Sequence, residues 1–158
     1  MGIDPGSVRT GYALIESNGH QSRYLHSGYL NLDNAGLAQK LGQIFTQLSQ
    51  LINEYHPHEM AVEQVFMSKN ASAALKLGQA RGAAITACVN AGMPVYEYSA
   101  KAVKQATVGY GAASKDQIQH MVLRILNMRK QLQEDEADAI AIALCHAHSG
   151  LNHAQQQA

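Results

Sequence analysis

Between Asn34 and Tyr55, the residues Leu37, Leu41, Ile44, Phe45, Leu48, Leu51 and Ile52 recur at three- and four-residue intervals with polar residues between them. That spacing predicts an amphipathic helix, and Pro57 ends it because proline breaks the helical ladder. The apolar run Met60–Val65 follows and reads as a strand. Two strand segments precede the helix, Tyr12–Glu16 and Ser22–Leu32, joined by Ser17-Asn18-Gly19; Asn-Gly is a strong hairpin signal. A strand, a long helical crossover and another strand form the unit that joins parallel strands. The chain is therefore expected to combine an antiparallel meander with parallel strands in one mixed sheet.

The remaining pattern fills in that plan. A short opening strand ends at Asp4, where Pro5-Gly6 makes a turn. A helix rich in alanine and glycine is expected from about Ala71 to Asn90, and Gly92 and Pro94 separate it from a fifth strand, Val95–Tyr98. A short helix, Lys101–Val108, follows. Ser114 with Gln117 three residues later resembles a capping box and opens a helix through Met128. A polar loop leads to a last helix from about Asp135 to His148. The expected fold is α/β, a five-stranded mixed sheet flanked by helices, which is the ribonuclease H-like pattern. Residues 1–150 are expected to form one domain, and the polar, glutamine-rich residues 151–158 a disordered tail.

With 46% hydrophobic and 15% charged residues, the composition is that of an ordinary globular domain. Cys88 and Cys145 form no C-x-x-C pair and lie in apolar helical patterns, as expected for buried thiols in a reducing cytoplasm. The start shows no charged-then-apolar leader pattern. The longest apolar run, Ala139–Cys145, is far too short for a bilayer. Basic and acidic residues balance at 12 each, but they are segregated. From Phe66 to Asp116, Lys69, Lys76, Arg81, Lys101, Lys104 and Lys115 face only Glu97 and Asp116. Acidic residues gather before position 64 and in Glu134-Asp135-Glu136-Ala137-Asp138. Such segregation fits a basic binding face beside an acidic centre, and equally a solvated surface.

Four acids fall at telling places on this plan. Asp4 ends the first strand. By itself it fits a turn residue, a metal ligand or, with Gly6, Ser7 and Thr10, the phosphate loop of an actin-like ATPase. Glu63 lies within an apolar strand, where an unpaired carboxylate costs several kcal/mol. If the first and fourth strands are neighbours, these two carboxylates lie side by side. Asp135 and Asp138, three apart, share one helical face about 5–6 Å from each other. Helix capping alone would explain that pair. Together the four acids fit a site for hard cations, which prefer carboxylate oxygens and can clamp a displacement at phosphorus.

The stretches Gly2–Tyr12, Val62–Asn70, Ala74–Gly82 and Asp135–Ala139 resemble, in this order, the motifs of the RuvC family of bacterial Holliday junction endonucleases. The resemblance spans about residues 2 to 148. It implies a cytoplasmic homodimer that nicks four-way junction DNA in symmetric pairs, with two Mg²⁺ per site and Mn²⁺ as a possible substitute. It further implies collaboration with the RuvAB branch-migration machinery and a preference for a short thymine-rich sequence. Asp4, Glu63, Asp135 and Asp138 match the family's catalytic metal ligands, and Lys104 and Lys115 its basic active-site positions. Asp4 would bridge the two ions, and Lys104 or Lys115 would neutralise charge growing at phosphorus. Phe66, Met67, Lys69, Asn70, Lys76 and Arg81 complete the expected DNA contacts, with Phe66 either stacking on an unpaired base or tucked into the core. One departure is that only Met1, Gly2 and Ile3 precede Asp4, where family members usually carry a longer apolar strand.

The Gly78 and Gly82 stripe is a candidate dimer surface, or equally a close-packing face. Cys145-His146-Ala147-His148 lacks a second Cys/His pair to complete a zinc site and reads as structural. An ATPase would need a second phosphate loop and a second, related domain. A ribosomal-RNA-processing nuclease of the related YqgF type shares the opening motif but is a weaker fit to the Phe66 loop and the basic helix. A junction-binding module without catalysis is opposed only by the intact acid set.

Overall fold

The structure, a computed structural model, describes residues 1–6, 8–32, 36–64 and 70–155, with side chains as far as residue 149. Its elements are β1 (Gly2–Asp4), β2 (Arg9–Ser17), β3 (Ser22–Asn31), α1 (Leu37–Tyr55), β4 (Met60–Glu63), α2 (Ala71–Asn90), β5 (Val95–Tyr98), α3 (Ala100–Val108), α4 (Lys115–Ile125) and α5 (Glu134–Gln155). The five strands form one sheet in the order β3-β2-β1-β4-β5. β1–β2 and β2–β3 pair antiparallel, whereas β1–β4 and β4–β5 pair parallel. This is the expected meander plus crossover, with β1 at the centre.

Strand periodicity divides the core into two layers. Ile3, Tyr12, Leu14, Leu30, Met60 and Val62 point to one face and pack with Ile44, Leu48 and Ile52 of α1 and Ala80, Ala84 and Cys88 of α2. Ala13 and Ala61 point to the other face, under Ile140, Ile142 and Leu144 of α5, Val103 of α3 and Val122 of α4. The α5 face is built from small residues, so the helix lies directly on the strands. A Cβ added at Gly2 would meet the Ala139 carbonyl at 2.3 Å and the Ala143 nitrogen at 2.6 Å. Only glycine fits there. α5 is correspondingly buried almost all round from Ala139 to Cys145.

Local signals explain most boundaries. The Asn18 carboxamide accepts from the His20 and Gln21 N–H groups and closes the β2–β3 turn, with Gly19 at φ 88°. Ser114 and Gln117 make the reciprocal capping box, and Ser99 caps α3 through the Ala102 N–H. Three expected ends move. β4 ends at Glu63 rather than Val65, which lies outside the described residues. α4 stops at Ile125, where the chain turns through Asn127 at φ 50°. α5 continues to Gln155 beyond the expected His148, because Asn152-His153-Ala154-Gln155 contains no proline to stop it. α1 is described from Leu37; the expected start at Asn34 lies outside the described residues.

Candidate active site

The two strand acids are neighbours by register. Gly2 pairs with Ala61 and Ile3 with Val62, so the next step sets Asp4 beside Glu63. Both belong to the α5 side, because Ile3 and Val62 point the other way into the α1 layer. Thr10, fully buried, holds the turn after Asp4: its hydroxyl donates to the Gly6 carbonyl at 3.0 Å and accepts the Gly6 N–H at 3.3 Å. Thr10 and Gly6 therefore close a turn upon themselves, and Ser7 lies outside the described residues.

α5 brings the second pair of acids over the first. Gly11 is the cross-strand partner of Asp4, and a Cβ there would lie 2.0 Å from the Asp135 carbonyl oxygen. The first turn of α5 thus rests on bare backbone beside Asp4. That turn is also tied to β3 through Glu136, which is 6% exposed. Its carboxylate accepts from the Ser27 hydroxyl at 2.6 Å, from the Lys130 ammonium at 2.5 Å and from the Gln133 N–H at 3.3 Å. Lys130 reaches the Tyr24 hydroxyl as well, at 3.0 Å. These contacts hold the Glu136 carboxyl below its usual range despite burial. Glu136 and Gly11 were not singled out as site residues from the sequence. The visible signal was an acid amid helical neighbours whose spacing turns it away from Asp135 and Asp138.

The electrostatics mark the site. Burial, then the charges of Asp138, Glu63 and Asp135, push the Asp4 carboxyl up to about 7, opposed by Lys115. Glu63 is raised by burial and Asp138, against Lys104 and Lys115. Asp138 is raised by burial, against the pull of Lys115 and with the push of Asp135. All four acids and both lysines therefore act on one place. None of the four carboxylates hydrogen-bonds or ion-pairs with another described residue, so their lone pairs are open to a ligand. Among the described residues no three His, Cys, Asp or Glu side chains stand at coordination distance of one point. A half-buried, all-oxygen donor set of this charge fits a hard divalent cation.

The other expected contacts fall differently. Lys115 also reaches Glu134 in the first turn of α5, which anchors it above the site. Lys76 is exposed on α2. Asn70 caps α2, its carboxamide oxygen accepting the Ala73 N–H at 3.1 Å. Arg81 is turned inward: its Nε donates to the Glu63 carbonyl at 3.1 Å, its guanidinium lies 2.7 Å from Glu97, and its side chain is 17% exposed. It braces the end of β4 against β5. Phe66, Met67 and Lys69 lie outside the described residues. His146 donates from Nε2 to the Glu59 carboxylate and meets the Tyr98 hydroxyl through Nδ1, both at 2.7 Å, and His148 meets the Ala106 carbonyl.

A mixed sheet with the acids at its central strand ends and a helix laid across them defines a nuclease of the ribonuclease H-like class. The family model for crossover junction endodeoxyribonuclease RuvC matches residues 1–146. A crossover junction endodeoxyribonuclease RuvC of Idiomarina loihiensis is 54% identical over 157 residues, 96% of this chain and 88% of the relative. The Thermus thermophilus RuvC structure superposes with a TM-score of 0.86 at 32% identity, covering 96% of this chain and 95% of that one. T. thermophilus RuvC in complex with Holliday junction substrate gives 0.86 at 30% identity, with 96% and 94% covered. The chain belongs to the RuvC family of crossover junction endodeoxyribonucleases.

Proposed function

We propose that this chain resolves four-way DNA junctions, with Asp4, Glu63, Asp135 and Asp138 holding two Mg²⁺ ions at the scissile phosphate. The observation that carries it is the convergence of four carboxylates without a bonded partner among the described residues, three of them with raised affinity for protons, with two lysines at one end of the sheet. A group that holds protons against water is poised to exchange them for a stronger cation. When bound, Mg²⁺ supplies an acidified water and a counter-charge for the leaving oxygen. The chain's residues do the positioning. β1 and β4 fix Asp4 and Glu63, α5 lays Asp135 and Asp138 over them, and Arg81 steadies the Glu63 backbone. Lys115, anchored by Glu134, and Lys104 present positive charge where negative charge grows on the phosphate.

The same reading makes the protein a cytoplasmic homodimer, since paired symmetric nicks need two equivalent sites. The exposed face of α2 supports this: Gly78 and Gly82 have nothing within 4 Å of an added Cβ, and Leu75 and Val89 are 69% and 58% exposed. Cooperation with a RuvAB-type branch-migration complex belongs to the same reading, as do DNA contacts through Phe66, Met67, Lys69 and Lys76. The test is a synthetic four-way junction, a linear duplex and a structured RNA, each with Mg²⁺, read for nick position and symmetry. Paired nicks confined to the junction are expected. Asp4→Asn should abolish cleavage and leave junction binding intact; continued nicking by that variant would overturn the assignment.

A further inference from the structure

The row of residues that starts at Asp4 does not end at Gly11. Gly11 pairs in turn with Tyr29 on β3, so Asp4, Gly11 and Tyr29 form one line across the sheet. Tyr29 follows Ser27 by two positions, and Ser27 bonds to Glu136 of α5; strand alternation therefore sets Tyr29 on the α5 side. α5 ends before covering it, and Tyr29 remains 43% exposed. The Arg9 guanidinium lies over the Tyr29 ring, 5.1 Å from its centroid. Arg9 is exposed and also faces the α5 side, two positions before Gly11. Val8, beside it, is 72% exposed.

We propose that Arg9 and Tyr29 form a phosphate-binding subsite for the DNA strand beyond the scissile bond, on the flank opposite Lys104 and Lys115. This rests on the nuclease reading above. A polyanion drawn over four carboxylates needs cations on both sides of them. Arg23, Arg81, Lys115 and Lys130 each have a carboxylate partner within the chain; among the described residues Arg9 has none. Stacking occupies the face of a guanidinium and leaves its in-plane N–H donors for phosphate oxygens, a division of labour a lysine cannot make. Two strand spacings separate Tyr29 from Asp4, about 10 Å. At roughly 3.4 Å of axial rise per nucleotide, the subsite would take a phosphate about three nucleotides from the cut.

The test is fluorescence anisotropy with a labelled four-way junction and full-length protein, without divalent ions, across about 50 to 200 mM salt. Losing one phosphate contact should make the dependence of log affinity on log salt shallower by about 0.9, so the deficit of Arg9→Ala should shrink about 3.5-fold across that range. Arg9→Lys should keep the wild-type slope at reduced affinity. Tyr29→Leu should weaken binding, and Tyr29→Phe, which keeps the ring, should match wild type. Unchanged melting temperatures confirm that the folds are intact, as exposure of both side chains predicts. Wild-type affinity and slope in Arg9→Ala overturn the subsite while leaving the nuclease reading untouched. Failure of the wild-type protein to bind the junction overturns both.

Discussion

Gly11→Ala tests how the two halves of the acid site are spaced. The new methyl would lie 2.0 Å from the Asp135 carbonyl oxygen and 2.6 Å from its carbon, with the Asp135 Cβ at 3.2 Å. The obstructing atoms are helix backbone and cannot rotate aside as the end of a long side chain could. Restoring ordinary contact at about 3.4 Å requires the first turn of α5 to retreat by roughly 1.4 Å from β2. Overpacking of this kind costs about 1–3 kcal/mol, or roughly 2–12 °C in melting temperature for a chain of this size. The catalytic cost should be larger. Asp135 and Asp138 ride on that turn, Asp4 and Glu63 do not, and a displacement of about 1 Å can cost on the order of 100-fold in rate. The assay is single-turnover cleavage of a labelled junction with excess enzyme below the melting transition, alongside binding without divalent ions. Cleavage should fall about 100-fold while binding is retained. A variant that melts lower but cleaves within about threefold of wild type would show that Gly11 serves packing alone, and the spacing argument would fail.

Three further outcomes follow from the same geometry. The folded protein holds a proton on Asp4 up to about pH 7, whereas an ordinary aspartate releases it near 3.8; folding stability from this group is present below the lower value and lost as pH rises through the higher. Glu63 and Asp138 shift the same way, so the metal-free melting temperature should fall between about pH 4 and pH 7, and less steeply in Asp4→Asn; a loss no smaller in that variant would contradict this. Glu136→Ala takes the acceptor from the Gln133 N–H and the Lys130 ammonium and leaves the Ser27 hydroxyl only Tyr24, at roughly 1–3 kcal/mol in calorimetry, with Glu136→Gln losing less because it can still accept from Ser27. Gly42→Ala, in α1 with nothing within 4 Å of the added methyl, should raise stability by about 0.5–1 kcal/mol, and a lower melting temperature would count against it.

Strand order and the meeting of Asp4, Glu63, Asp135 and Asp138 were legible because each rests on a local signal with one spatial outcome. A helix between strands forces a parallel return, and a carboxylate inside an apolar strand requires a partner. Other roles depended on pairings that chain distance hides. Arg81 read as a DNA contact because its charge stood in a basic segment; its real neighbours, the Glu63 carbonyl and Glu97, are brought to it only when α2 packs beside β4 and β5. Asn70 read as a loop contact, although its position before Ala71 also satisfies the N-cap preference. Helical spacing turned Glu136 away from Asp135 and Asp138, but its partners, Ser27 of β3 and Lys130 of the preceding loop, are set by the fold. Gly11 drew no notice because a close approach leaves no mark beyond the absence of a side chain.

The acidic run at the head of α5 shows how one helical turn can assign neighbouring charges to different tasks. Successive residues on a helix are rotated by about 100°. Glu134 therefore points to α4 and meets Lys115, and Glu136 turns toward β3 and is enclosed by Ser27 and Lys130. Asp135 and Asp138, three apart, share the remaining face, which lies over Asp4. The two bystanders are each neutralised by a lysine of this chain, so their charge adds little to repulsion within the turn. The positive end of the helix dipole offsets part of the rest. What stays uncompensated is confined to the pair that faces the strand acids, and no other described side chain bonds to it. A run of four uniformly exposed acids would attract cations diffusely. Pairing two of them within the fold leaves the excess charge at one point, where β1, β4 and α5 meet, and leaves Lys115 held beside that point by Glu134.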